Sequence, residues 1–250
     1  MTQHNLLFDD DPSSDLTHLD PIPSYEESIA APRPGGSLQI LGATWGGVTV
    51  TPDIQALVGE SDALTLDMRT LWRHLTPDPA PGKTKVLTIL YRFDTASSPD
   101  FPTAEAEQQQ QQQLDDDGIR LLVIPETDTP SRVTLTRHAT AEQLVQGSRS
   151  RIHTTLAAPW HTSPSGQVYI LAVVYGPRRV ESPAVLETLG MYFEGRRGQI
   201  RMNNAFFGTD PWPYKRKSWT VFFRFVGSKR VQVVTGWEDG ALEVPWSRYY

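Results

Sequence analysis

The segment "DPWPYKRKSWTVFFRF", from Asp210 to Phe225, repeats the pattern of "DPAPGKTKVLTILYRF", from Asp78 to Phe93. Each copy begins with D-P-x-P and has a lysine four residues after the second proline. Proline removes a backbone donor and keeps the residue before it extended, so the first half of each copy predicts a loop. The β-branched and aromatic residues that follow predict a strand.

Other blocks recur around this segment in the same order, which indicates a duplicated unit. The sequence therefore predicts an all-β fold with two tandem β-sandwich-like repeats and short helices. It leaves open whether the two repeats share a sheet or pack face to face. The matched residues are Ile40-Leu41 and Ile170-Leu171, Trp45-Gly46 and Tyr175-Gly176, Val50 and Val180, Asp117-Gly118 and Asp239-Gly240, and Pro125 and Pro245.

These patterns divide the chain into four segments. Residues 1–37 are rich in Asp, Pro and Ser without a sustained period, which predicts a disordered leader. Residues 38–125 form the first β repeat, and residues 95–114 within it are a glutamine-rich, low-complexity insertion. Residues 126–167 connect the repeats, and residues 168–250 form the second one.

Composition narrows the classes of function. The formal net charge is −6, which disfavours general binding to nucleic acid or to an anionic membrane. The chain has no cysteine, so disulfides, thiolate nucleophiles and cysteine-based metal sites are excluded. The acidic N-terminus has no apolar core of a signal peptide, and no apolar run approaches the roughly 20 residues that span a bilayer. We therefore expect a cytoplasmic protein.

The second copy of the proline-rich loop carries the candidate partner surface. Trp212 and Tyr214 flank Pro213, whereas the first copy has alanine and glycine at these two positions. Lys215 and Arg216 follow directly. The pattern fits either packing between the repeats or a surface for a partner, because exposed Trp and Tyr are favoured anchors.

A short linear motif lies in the leader. "DPIPSYEES", from Asp20 to Ser28, places Pro23 two residues before Tyr25, with acids after it. This resembles the P-P-x-Y ligands that WW domains bind as a polyproline II segment, although Ile22 stands in place of the first proline. The sequence thus predicts a WW-domain protein as a possible partner, beside the alternative of an ordinary proline-rich leader.

No pattern predicts catalysis. The six histidines lack the spacings of a helical zinc site, and the aspartate clusters lack the spacing of an EF-hand. No nucleophile elbow, P-loop or dinucleotide fingerprint occurs. We expect no cofactor, no metal and no enzyme activity.

The repeat resembles a known family. It is similar to the β-rich domain of unknown function at the C-terminus of the DnaJ-like proteins of subfamily C member 11, and to related uncharacterised repeats in fungi and bacteria. The residues that carry the likeness are Tyr175-Gly176, Gly208, Asp210, Pro211, Pro213, Lys217 and "EDGALEVP", with their counterparts in the first copy. The resemblance implies a β-rich fold and no catalytic residues, and without an H-P-D tripeptide it implies no co-chaperone activity.

Two functions remain in view. The first is a non-catalytic intracellular module for protein interaction or scaffolding. The alternative is a carbohydrate-binding module that uses exposed Trp and Tyr side chains as stacking platforms. An enzyme is the least favoured class.

Overall fold

The computed structural model describes residues 25–27, 38–75, 78–93, 118–127, 132–137, 152–156 and 160–243. These residues form strands far more than helices, which confirms the all-β prediction. The glutamine-rich insertion lies outside the described residues. No helix in the described part of the chain is long and apolar enough to cross a bilayer.

The described residues contain three α-helices and fifteen strands. The helices are α1 (Thr51–Ala56), α2 (Pro183–Phe193) and α3 (Asn204–Phe207). The strands are β1 (Tyr25–Glu27), β2 (Leu38–Trp45), β3 (Val48–Thr49), β4 (Leu64–Asp67), β5 (Val86–Phe93), β6 (Arg120–Pro125), β7 (Arg132–Leu135), β8 (Ile152–Thr155), β9 (His161–Thr162), β10 (Val168–Tyr175), β11 (Arg178–Arg179), β12 (Ile200–Arg201), β13 (Ser218–Phe225), β14 (Gln232–Trp237) and β15 (Ala241–Leu242).

Two large antiparallel sheets organise the fold. The first has the strand order β3-β2-β5-β6-β8. The second has the order β11-β10-β13-β14-β1, and β9 also pairs with β10. Two small sheets, β4-β7 and β12-β15, lie outside them.

The two large sheets have the same register at their centres. Trp45 lies opposite Leu87 in the first sheet, and Tyr175 lies opposite Trp219 in the second. Each ladder also shifts its register at one equivalent place, after Ile40 in β2 and after Ile170 in β10. A tandem duplication would produce this correspondence, and the duplication itself stays a prediction from the sequence.

One matched block from the sequence is wrong. Val86 of β5 lies opposite Pro125, and Ser218 of β13 lies opposite Trp237, so residues 120–126 correspond to residues 232–238. The structural counterpart of Pro125 is therefore Trp237, and the sequence match of Pro125 to Pro245 is wrong by several residues. Asp-Gly is a common turn signal, and it recurs at Asp239-Gly240 because the chain turns again after β14.

The two large sheets pack face to face, which is one of the two arrangements left open by the sequence. Thr44 Oγ1 of the first sheet lies 2.8 Å from Thr220 Oγ1 of the second, across a buried interface. Each half of the chain thus supplies one sheet to a shared sandwich. Apolar residues of this inter-sheet core include Leu41, Val86, Leu90, Leu121, Val123, Leu171, Val174, Phe222 and Val233.

The outer face of each sheet carries a second core. In the first half, α1 and the β4-β7 pair cover the sheet, and Ile54, Leu64 and Leu135 are fully buried there. In the second half, α2, α3 and the β12-β15 pair take this place, with Leu189 fully buried. The molecule is therefore layered, with the shared sandwich at its centre.

Part of the leader departs from the prediction of disorder. Residues 25–27 form β1, an antiparallel strand on the edge of β14, with Tyr25 opposite Val234 and Glu27 opposite Gln232. Edge strands expose unpaired backbone groups, and a short added strand satisfies some of them. All other residues of the leader lie outside the described ones.

The sequence places Trp219 on an inward face, as the counterpart of Leu87, and the structure agrees. Its side chain is fully buried, and the indole Nε1 donates to the Trp237 carbonyl at 2.9 Å. Trp219→Ala should lower the free energy of unfolding by about 3–5 kcal/mol, because it leaves a cavity and removes a buried hydrogen bond. Denaturant midpoints measure this, with Trp219→Phe as the milder control. A loss under about 1 kcal/mol would contradict this packing role.

Candidate functional site

The proline-rich loop of the second half is held by a buried lysine. The side chain of Lys217 is only 3% exposed, and its Nζ lies 2.9 Å from Asp210 Oδ1 and 3.1 Å from Glu238 Oε2. It also donates to the carbonyls of Lys215, at 2.9 Å, and Trp212, at 3.4 Å. A buried ammonium needs such oxygen partners to offset its lost hydration. The lysine therefore ties the loop to the end of β14.

The first half contains the same arrangement. Lys85 Nζ lies 3.3 Å from carboxylate oxygens of both Asp78 and Glu126, and donates to the carbonyls of Lys83 and Ala80. The repeated D-P-x-P and lysine are therefore a structural clamp common to both halves. The sequence pattern found the aspartate and the lysine. It missed Glu126 and Glu238, which join the clamp only because β6 and β14 return beside the lysine strand.

The aromatic-glycine pairs belong to the same clamp. Gly46 has φ +53°, and a Cβ added there would lie 2.6 Å from Lys85 Cγ. Gly176 has φ +55°, and its added Cβ would lie 3.1 Å from Lys217 Cγ. Glycine is favoured at both turns because the backbone is left-handed. At Gly46 the lysine stem also occupies the space of a side chain, and at Gly176 it leaves only a tight fit.

The clamp of the second half is more polar than that of the first. Tyr175 Oη lies 2.7 Å from both Glu238 Oε1 and Asn204 Oδ1, whereas Trp45 stands at this position in the first half. Burial, followed by the hydrogen bond and charge of Glu238, raises the pKa of Tyr175 far above its usual value. The hydrogen bond from Lys217 is the main cause that lowers the pKa of Asp210. Tyr175 thus stays protonated, as a structural donor.

Lys217→Met tests the clamp. We expect it to lower the free energy of unfolding by about 3–5 kcal/mol, because it leaves a buried carboxylate without its counter-charge. Adding Asp210→Asn and Glu238→Gln to the same chain should recover part of this loss, since no unpaired charge then remains. Urea midpoints compare the variants, and Lys85→Met is the matched control in the first half. Equal instability of the single and triple variants would contradict a charge-based clamp.

The tip of the second loop carries an exposed aromatic side chain. Tyr214 is fully exposed, with a relative accessibility of 106%, and its φ is +63°. Its counterpart Gly82 has φ +73°. The loop thus requires a left-handed residue at this position, and only the second half places a bulky side chain there.

The other residues of the candidate partner surface are more closely held. Trp212 is half-buried against the inter-sheet core, and Lys215 Nζ lies 4.5 Å from the centre of its ring. Arg216 donates to the Glu238 carbonyl at 3.3 Å and lies over the Trp237 ring. Trp212 therefore packs partly against the inter-sheet core, and Tyr214 is the residue that projects from the body.

The leader motif is only partly described. Pro23 lies outside the described residues, and Tyr25 is the first residue of β1. The backbone of Tyr25 is thus paired in a sheet, on the edge of β14, rather than in a free polyproline II segment.

His153 lies in β8. Its Nε2 is 2.6 Å from Tyr91 Oη, and burial, with a smaller effect of Arg120, lowers the pKa of His153 to about 4. Burial also raises the pKa of Tyr91 to about 12. Both side chains are neutral near pH 7, and their contact joins β8 to β5. Across the described ranges, no three His, Asp or Glu side chains gather as a metal site requires.

The depressed pKa of His153 predicts a pH effect on stability. In the unfolded chain His153 is protonated below about pH 6.5, whereas in the folded chain it is protonated only below about pH 4. The free energy of unfolding therefore decreases as the pH falls through this window. The slope from this group is at most about 1.4 kcal/mol per pH unit. Urea unfolding between these two pH values should show a smaller slope for His153→Gln than for the wild type. An unchanged slope would assign the effect to other groups.

Comparison of the chain with protein-family models, curated proteins and solved structures finds no match. The resemblance to the β-rich domain of DnaJ-like proteins therefore stays a prediction from the sequence.

Proposed function

We propose that this chain is a non-catalytic protein-interaction module, and that Tyr214 is the centre of its partner surface. The single observation that supports this is a fully exposed tyrosine at positive φ, at a position where the equivalent loop has glycine. A left-handed conformation costs a residue other than glycine about 1–2 kcal/mol. Because the ring of Tyr214 is exposed, its burial does not offset this cost within the folded chain. We infer that the side chain is kept for contact with another molecule.

The loop presents this tyrosine in a rigid frame. Pro211 and Pro213 restrict the backbone on either side, and the lysine clamp holds the base of the loop. A preorganised loop loses little conformational freedom on binding, which favours affinity. Tyrosine is also among the residue types enriched at binding hot spots.

The charges near the loop indicate an acidic partner. Lys215 and Arg216 follow the tyrosine, and the exposed Arg178 is the first residue of β11, directly after the adjoining turn. This turn is close to the loop, because a Cβ added to Gly176 would lie 3.4 Å from Pro211 Cγ. An exposed aromatic side chain that two cationic residues follow in the chain fits an acidic protein segment, in a chain whose overall charge is negative.

Tyr214→Gly separates binding from stability. It removes the side chain and the unfavourable φ together, so we expect the variant to be more stable than the wild type by about 1 kcal/mol. Tyr214→Ala removes the ring and keeps the unfavourable backbone, so it should gain little. Denaturant midpoints measure both values. A clear loss of stability in Tyr214→Gly would make the tyrosine a packing residue.

Partner capture completes the test. Both Tyr214 variants should lose a partner that the wild type captures in a quantitative pull-down from lysate. Val226→Thr is the matched control, because Val226 is another exposed apolar residue and directly follows the last residue of β13, at the end away from the loop. A partner captured equally by all variants would place the interaction surface elsewhere.

A carbohydrate-binding module is the second candidate, and the exposed ring of Tyr214 is the observation that favours it. Trp212 supports it less, because one part of its ring packs on the inter-sheet core and Lys215 lies over it. A glycan array distinguishes the two functions. Binding to immobilised sugars that is lost in Tyr214→Gly would favour the carbohydrate module.

The proposal includes a partner for the leader and a location. The motif of Pro23 and Tyr25 fits a WW-domain protein, and a synthetic peptide of residues 20–29 titrated with a WW domain tests this directly. We place the protein in the cytoplasm, where a chain without cysteine has no need of an oxidising compartment.

A further inference from the structure

The outer edge of β10 is open between its two short partner strands. β9 pairs with residues 169–170 of β10, and β11 pairs with residues 174–175. In the described part of the chain, no strand lies beside residues 171–173 on this edge. Val173 lies in the gap and is fully buried. A buried backbone group in such a gap has to find its hydrogen-bond partner outside the sheet.

The first half shows how the chain satisfies the same edge. Ala43 of β2 corresponds to Val173, since the carbonyl of each accepts from the valine that follows the short partner strand. The Ala43 amide donates to Thr51 Oγ1 at 2.9 Å, and Thr51 is buried. In the second half Glu181 stands at the position of Thr51, with its side chain 71% exposed. No oxygen of the described residues accepts from the Val173 amide.

A pocket of about 240 Å³ lies at this gap, and Val173 lines it. Trp160, directly before β9, and His161, its first residue, line the pocket too. Trp160 is only 8% exposed. Trp160 Nε1 and His161 Nε2 are buried, and neither has a hydrogen-bond partner among the described residues. An amide and an indole nitrogen can only donate, so the pocket contains two buried donors that lack an acceptor.

The rest of the pocket is apolar, apart from one ion pair. Ile170, Val180 and Leu186 contribute to the apolar wall. Arg179 and Glu181 also line the pocket, and the guanidinium Nη1 lies 3.3 Å from Glu181 Oε1. An ion pair with so exposed a carboxylate contributes little to stability. Another carboxylate can therefore replace Glu181 beside Arg179 at little cost.

We propose that this pocket binds a small organic carboxylate with a short apolar tail. The carboxylate oxygens accept from the Val173 amide and the Trp160 indole, and Arg179 supplies the counter-charge. The tail lies against the apolar wall. The pocket has the volume of about eight water molecules, which suits an acid of about four to six carbons. Tyr214 does not line this pocket, so the inference is independent of the proposed partner surface.

An NMR titration of the isotope-labelled full chain with sodium hexanoate tests the proposal. We expect the signals of the Val173 amide and the Trp160 indole to shift and to saturate, with a Kd of about 1 mM for a ligand of this size. Hexylammonium is the control probe, because it has the same tail and the opposite charge. It should leave both signals in place. Hexanoate without saturable shifts, or equal shifts with the two probes, would overturn the proposal.

Two substitutions at the ion pair should change the affinity in opposite directions. Arg179→Gln removes the counter-charge, so we expect hexanoate to bind about tenfold more weakly. Glu181→Gln removes the competing carboxylate, so hexanoate should bind about two- to threefold more tightly. Arg178→Gln is the matched control, because Arg178 is the neighbour in β11 and does not line the pocket. Equal weakening by Arg178→Gln and Arg179→Gln would show a general effect of net charge and would contradict the site.

Discussion

A buried ammonium group must be surrounded by oxygen atoms, and this constraint shapes both halves of the molecule. Lys85 and Lys217 each lie between two carboxylates and two loop carbonyls. To supply those oxygens, the proline-rich loop must fold back over the strand end and the next strand must return beside it. The turn glycine must also leave room for the lysine stem. The loop, the turn and the strand order are thus coupled through one side chain.

Because the clamp holds the loop from inside, the residues at its tip can differ without loss of the fold. The first half has glycine at the left-handed position, where the backbone conformation is least costly. The second half has Tyr214 there, and Lys217 anchors the base of its loop as Lys85 does in the first half. Rigidity comes from the repeated residues, and the exposed aromatic side chain stands at a position where the halves differ. This separation supports an interaction surface on the second loop.

Closure of the sheet edges follows a shared rule. In each of the two large sheets, one strand would expose its outer backbone if no further strand paired with it. This strand is β6 in the first sheet and β14 in the second. The connecting segment supplies β8 to one, and the leader supplies β1 to the other, in equivalent registers. In the first sheet, Nε2 of His153 in β8 also lies 2.6 Å from Oη of Tyr91 in β5.

The sequence by itself determined the features that depend on near neighbours. Strand periodicity, the missing donors of proline and the glycine turns act within a few residues, so the main strands and the loops were predictable. The sequence left open whether Tyr214 packs between the repeats or is exposed. Only the tertiary structure decided that Glu126 and Glu238 join the lysines, that Trp212 packs between the sheets and that Tyr25 pairs with β14. Those contacts join residues far apart in the chain, and they arise when strands return side by side or when two sheets meet. No local pattern encodes such distances, so the residues that complete the clamp and the edge became visible only in the folded molecule.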